Sequence, residues 1–267
     1  MAVKPIFVGR EPELATLKGY YQQTLAGHGQ ICFLKGEAGA GKSTLVEEFV
    51  RQAQAENADL VVAFGSCDSQ TGSGDPYLPF REIFEQLTGA TDEAPPHSKE
   101  AKASILENSR RLKKLAVLTG DLLVNMGPDL IDLFLPGGKL IMLAGKLALN
   151  KTGWSDKYIE KLEDKKDFAK LTKEGLDQGQ IFEQYLNFLH AVTKKAPLVL
   201  VLEDLHWADA DSLGLLFRAG RQLEGMRLMI IGTFRPNDIA MGRDGQRHPL
   251  EQVLSEMKRY SLRLKCF

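Results

Sequence analysis

The sequence predicts an α/β fold in which a parallel sheet is covered on both faces by helices. Ile31-Cys32-Phe33-Leu34 is an apolar run of strand length that breaks at Gly36, Gly39 and Gly41 before a helix-favouring segment begins. Leu60-Val61-Val62-Ala63-Phe64 follows that helix and ends at Gly65. Strand, helix and strand at this spacing form a βαβ unit, whose strands run parallel and whose crossover is right-handed. Leu198-Val199-Leu200-Val201-Leu202 and Leu228-Met229-Ile230-Ile231 are again continuous apolar runs, as strands buried on both faces read.

The chain has 267 residues, enough to bury a sizeable core, and its 43% hydrophobic and 26% charged residues are ordinary for a globular protein. A formal net charge of −1 provides no global attraction to nucleic acid or to an acidic membrane. Three cysteines, Cys32, Cys67 and Cys266, are too few and too scattered for a disulfide framework or a zinc site. Cys32 and Cys266 lie in apolar runs and read as core thiols. The N-terminal MAVKPIFVGRE has neither a long apolar region nor a cleavage pattern, so a cytoplasmic location is expected.

Taken in order, Pro5 to Glu11 leads into an amphipathic helix in which Leu14, Leu17 and Leu25 punctuate polar residues, with Glu11 and Glu13 near its start. Phe7, Val8 and Arg10 either border a bound base or serve core packing and surface charge. Gly36-Glu37-Ala38-Gly39-Ala40-Gly41-Lys42-Ser43 then fits G-x-x-x-x-G-K-[ST], the phosphate-binding P-loop, with Thr44 continuing into the helix. Its glycines let the backbone wrap closely around phosphate, and its N–H groups with the helix N-terminus present positive charge to an anion. Lys42 would neutralise the β- and γ-phosphates and the Ser43 hydroxyl would ligate Mg²⁺. The same glycines do not spell G-x-G-x-x-G, which disfavours a dinucleotide fold.

Beyond this loop, Leu45, Val46, Phe49 and Val50 share one helix face, with Glu47, Glu48 and Arg51 toward water. Residues 66–79 read as a loop leaving the ligand-binding edge of the sheet, with Asp68 and Asp75 as turn residues, and Phe80 to Leu87 reads as a short helix. A helical insertion is expected over about 91–178. It is broken at Gly127-Pro128 and Pro136-Gly137-Gly138, and carries the basic run Arg110, Arg111, Lys113 and Lys114, read as a solvated face. The cluster Leu140 to Ala144 is far shorter than the ~18 residues of a membrane span. It belongs either to a helix packed on the core or to a partner-binding or membrane-surface helix. Ile181, Phe182, Tyr185, Leu186, Phe188 and Leu189 then make a strongly apolar helix face.

The apolar run 198–202 ends in Glu203-Asp204, which delivers two carboxylates to the catalytic edge of the sheet. Adjacent acids there are costly unless a cation or hydrogen bonds satisfy them, and Mg²⁺ does so. One would hold the metal and the other orient or deprotonate water; sequence order assigns Glu203 to Mg²⁺ and Asp204 to water. The run 228–233 ends at Thr233-Phe234-Arg235-Pro236, where Thr233 and Arg235 either sense the γ-phosphate or form a turn with a surface arginine. Leu250 to Met257 suggests a helix, and residues 261–267 alternate like a last strand.

With these residues in place the chain resembles the STAND class of P-loop ATPases, close to the AAA-type ATPase domains of large bacterial ATP-dependent regulators and to origin-recognition-like ATPases. The resemblance is carried by Phe7-Val8-Gly9-Arg10-Glu11, the P-loop, Pro76-Tyr77-Leu78-Pro79-Phe80, Leu202-Glu203-Asp204-Leu205-His206-Trp207-Ala208-Asp209 and Gly232-Thr233-Phe234-Arg235-Pro236. It implies a three-layer P-loop NTPase fold with a parallel five-stranded sheet of order 5-1-4-3-2 and the helical insertion between strands 2 and 3. It also implies ATP or ADP with Mg²⁺, and a switch whose nucleotide state controls self-association. Val8, Gly9 and Arg10 would border the adenine, Arg235 would read the phosphate state, and His206 and Trp207 would link the second strand of the site to its neighbours. On this reading residues 1–267 are one ATPase domain, and the lid, winged-helix and sensor or effector domains of the family belong to a longer chain.

Glu203 departs from the aspartate many P-loop enzymes carry there, which lengthens the metal arm. A nucleotide-holding assembly module with little turnover is therefore the alternative to a slow ATPase. An origin-recognition-like DNA binder would need a basic surface or winged helix that the sequence lacks.

Overall fold

Successive side chains of each strand point to opposite faces and join two separate cores, so strands buried throughout become the middle of three layers. The computed structural model describes residues 9–67, 76–91, 108–117, 122, 131, 133–135, 177–240, 248–259 and 264–266. Its parallel core is four strands, β1 (Gln30–Lys35), β2 (Val61–Ser66), β3 (Leu198–Glu203) and β4 (Leu228–Phe234), in the order β2-β3-β4-β1. Leu34 stands opposite Thr233, Leu202 opposite Gly232 and Ser66 opposite Glu203, so the polar ends of all four strands share one edge. On the far side of β1 the segment Leu264–Cys266 pairs in parallel with Ile31 to Phe33.

Helices fill both faces. Cys32, Leu34, Val62, Val199, Val201, Met229 and Ile231 pack with Leu17 and Tyr21 of α1 (Glu11–Leu25) and with Leu45, Phe49 and Ala53 of α2 (Lys42–Glu56). Ile31, Phe33, Ala63, Leu200 and Ile230 pack on the other face against four helices. These are α3 (Leu78–Thr88), α4 (Gln178–Lys195), α5 (Ala210–Gly220) and, after the short α6 (Pro236–Ala240), α7 (Pro249–Arg259). Three layers result, as the apolar runs predict. Tyr185 anchors the second core, its ring among Phe80, Phe84 and Phe134 and its hydroxyl donating to the Phe80 carbonyl at 2.9 Å.

Strand β2 runs through the predicted stop at Gly65 and ends at Ser66. A Cβ at Gly65 would lie 2.1 Å from the Pro79 carbonyl oxygen, so this glycine admits the start of α3 rather than ending the strand. The outer edge of β2 is closed by side chains. Asn108 accepts from the Val62 N–H at 3.2 Å and donates to its carbonyl at 2.9 Å, and Gln86 does the same for Phe64 at 3.1 and 2.6 Å. Glu82 accepts from the Ser66 N–H at 2.7 Å. Each amide stands in for a peptide of a missing neighbouring strand.

Most of the predicted insertion lies outside the described residues, including the cluster Leu140 to Ala144, as do Asp68 and Asp75. Residues 108–117 are helical. The basic run there is not simply a solvated face: Arg111 donates to the carbonyls of Gln54, Asn57 and Leu60, at 3.1 Å each, and so satisfies the C-terminal end of α2. Cys32 is buried as predicted, while the side chain of Cys266 is outside the described set. Among the described residues no helix is long and apolar enough to cross a membrane.

Candidate nucleotide-binding site

The loop between β1 and α2 has the backbone its glycines permit. Gly39 and Gly41 take positive φ, 76° and 77°, and Gly41 is the residue from which α2 starts. A Cβ at Gly36 would sit 3.1 Å from Ala40 Cβ, inside the curve of the loop. Lys42 opens α2 and lies back over that curve, its Nζ donating to the carbonyls of Gly36 at 2.6 Å and Glu37 at 3.1 Å. Ser43 and Thr44, in the first turn, are exposed.

Asp204 follows β3 in the left-handed region, with φ 55°, and its N–H donates to Thr233 Oγ1 at 3.1 Å. Thr233 is buried on β4, so one strand end fixes the backbone of the next. Burial lowers the Lys42 pKa, opposed first by the charge of Asp204, with Arg235, Glu37 and Arg10 also acting on it. Lys42, Asp204, Arg235, Glu37 and Arg10 therefore share one electrostatic neighbourhood. Glu203 is buried at the end of β3. Val8 lies outside the described residues; Gly9 has φ 88° and its N–H donates to the Glu11 carboxylate at 3.1 and 3.2 Å.

Four contacts go beyond the motifs read from the sequence. His206, whose side chain is fully buried, has Nε2 3.3 Å from Asp238 Oδ2 and Nδ1 3.9 Å from Asp204 Oδ1. The same Asp238 oxygen lies 3.8 Å from Arg235 Nη1. Glu37 Oε1 accepts from the Asn237 N–H at 3.3 Å, tying the P-loop to the β4–α6 corner. His248 Nδ1 accepts from the Leu250 N–H, so Nε2 bears the proton and donates to the His206 carbonyl at 3.0 Å. A signal for the Arg235–Asp238 pair was present in the three-residue spacing across Pro236. Asp209, the last residue of the acidic motif, accepts from Ser212 N–H at 2.8 Å and caps α5.

The residues fit an anionic phosphate group with a hard cation. The loop offers a glycine-lined cradle, three basic side chains converge there, and Arg235 Nε is buried with no hydrogen-bond partner among the described residues. Among the described residues no group of three or more His, Cys, Asp or Glu is arranged to hold a metal ion by itself. A hydroxyl and a carboxylate completed by phosphate oxygens suit Mg²⁺, which seldom uses an all-protein cage.

A parallel sheet of order β2-β3-β4-β1 with a glycine loop and lysine after β1 defines a P-loop nucleoside-triphosphate fold. The chain belongs to the AAA ATPase domain family, whose model matches residues 6–231. Family membership implies nucleotide binding. The chain is also similar to an uncharacterized protein of Rhizobium meliloti (strain 1021), at 24% identity over 230 residues. That match covers 86% of this chain and 18% of the relative, so the chain spans about a fifth of that protein's length.

Proposed function

We propose that this domain is a STAND-type, Mg-dependent ATPase that works as a slow, nucleotide-controlled switch in the cytoplasm. What supports the reading is that three strand ends share one edge of the sheet, with Lys42 following β1, Asp204 following β3 and bonded to Thr233 of β4, and Arg235 following β4. P-loop N–H groups of residues 36–44 and Lys42 bind the phosphates, and Val8, Gly9 and Arg10 flank the base. Ser43 and Glu203 hold Mg²⁺, which when bound neutralises phosphate charge. Asp204, half-exposed and fixed through its own N–H, orients the attacking water. Thr233 and Arg235 register the γ-phosphate.

The pairing of Leu264–Cys266 with β1 supports a five-stranded sheet of order 5-1-4-3-2. The small share of the R. meliloti relative that the chain covers supports a switch domain working within a longer protein, with self-association as its nucleotide-dependent output.

Calorimetry and single-turnover phosphate release with Mg-ATP test this together. Lys42→Ala is expected to lose ATP binding, whereas Asp204→Asn keeps binding and loses phosphate release. Unchanged ATP affinity in Lys42→Ala would refute the assignment.

A further inference from the structure

Resting on the nucleotide-site reading above, we infer that Asp238 is a positioning residue that competes with the terminal phosphate for Arg235 and so sets the preference of the site for triphosphate over diphosphate. The β4–α6 corner that carries Arg235 is tied to the P-loop and flanked by a buried histidine. Glu37 of the P-loop accepts from the Asn237 N–H at 3.3 Å, and His206 of the turn after β3 lies 3.3 Å from Asp238 Oδ2. Asp238 stands beside the arginine, its Oδ2 3.8 Å from Nη1, with its own side chain 41% exposed. Arg235 meanwhile contributes to the field at Lys42, the P-loop lysine.

A guanidinium has five donors in a rigid fork, and it can aim that fork at a carboxylate or at a phosphate. At 3.8 Å the pair with Asp238 is loose, and Arg235 Nε is buried with no acceptor among the described residues. Asp238 therefore holds the arginine nearby without satisfying it. A γ-phosphate draws Arg235 away from Asp238, and a diphosphate has no oxygen at that position to do so. Every triphosphate that binds must offset the lost pair; a diphosphate need not.

Affinities for ADP and for a non-hydrolysable ATP analogue with Mg²⁺ are measured on the full chain for wild type, Asp238→Asn, Arg235→Ala and the double variant. Removing the carboxylate is expected to raise the ratio of ATP-analogue to ADP affinity about two- to five-fold, the scale of a half-exposed ion pair. Asp238→Glu keeps the wild-type ratio, and in the Arg235→Ala background the Asn substitution leaves the ratio unmoved. Asp238→Ser carries the same expectation should the Asn variant fail to fold. An unchanged ratio in Asp238→Asn, or an equal shift with Arg235 absent, overturns the inference while leaving the nucleotide site intact. A wild-type chain that binds neither nucleotide overturns both.

Discussion

Asp204 is one of two described non-glycine residues with positive φ, the other being Tyr77, from which α3 starts. A left-handed aspartate costs roughly 1 kcal/mol, and the bond from its N–H to Thr233 Oγ1 is of a size to offset it. Gly232, next to that threonine, is required for a different reason: an added Cβ would meet Leu205 Cδ1 at 2.5 Å and the Phe33 ring at 2.9 Å. The glycine of the Gly-Thr-Phe-Arg-Pro stretch therefore serves packing and its threonine serves geometry. His206 adds a pH dependence whose sign follows from its surroundings. Burial lowers its pKa below the ordinary 6.5, against the opposing charges of Asp204 and Asp238, with Arg235 and Lys42 pushing the same way as burial. As pH falls through about 6.5 the unfolded imidazole takes a proton that the folded one resists, so stability is present above that pH and declines below it. Urea midpoints are expected to drop between about pH 7.5 and pH 5.5, and to drop less in His206→Gln. Equal drops in the two proteins would remove His206 from the account.

At the scale of elements, the edge of β2 depends on two amides from outside the sheet. Asn108 and Gln54 are both buried, and Gln54 Nε2 donates to Asn108 Oδ1 at 2.8 Å while Asn108 pairs with Val62. Asn108→Leu would leave the Val62 N–H and carbonyl and the Gln54 amide without that partner, at a cost of about 1–3 kcal/mol for buried polar groups so exposed. Chemical denaturation is expected to register that loss. Light scattering is expected to rise as well, because an open strand edge templates association. A variant as stable and as monodisperse as wild type would show the edge needs no cap. This pairing could not be read from the chain: Asn108 and Val62 are 46 residues apart and neither lies in a motif. The strands themselves were legible because Leu198 to Leu202 and Leu228 to Ile231 are apolar without interruption. Asp204, Thr233 and Arg235 stand in the sequence where such runs close, and Lys42 stands in the glycine-loop pattern. Glu37 and Asp238 were not legible as partners, because their contacts join separate loops and leave no local pattern; His206 was marked only by the family resemblance, as a link from the end of β3 to its neighbours. Gly65 misled for a related reason, since a glycine needed for close approach looks the same in sequence as one that ends a strand.

On the scale of the whole molecule, the site is made of strand ends and is therefore only as stable as the sheet that aligns them. Its pieces come from residues 36–44, 203–206 and 233–238, separated by the insertion and by helices on both faces. No two adjacent elements suffice: β3 and β4 supply Asp204 and its anchor, while the phosphate loop belongs to β1, which touches β4 but not β3. An unfolded chain disperses these groups, so a ligand that bridges them binds the folded state alone and stabilises it by mass action. At a hundredfold excess over its dissociation constant, Mg-ATP is expected to add about 2.7 kcal/mol, which for a chain of this size raises Tm by roughly 5–10 °C. Differential scanning fluorimetry with and without Mg-ATP measures the shift, and Lys42→Ala should lose it while melting near the wild-type temperature without ligand. A rise of the same size in both proteins would mean that ATP stabilises the fold from somewhere other than the loop at Lys42.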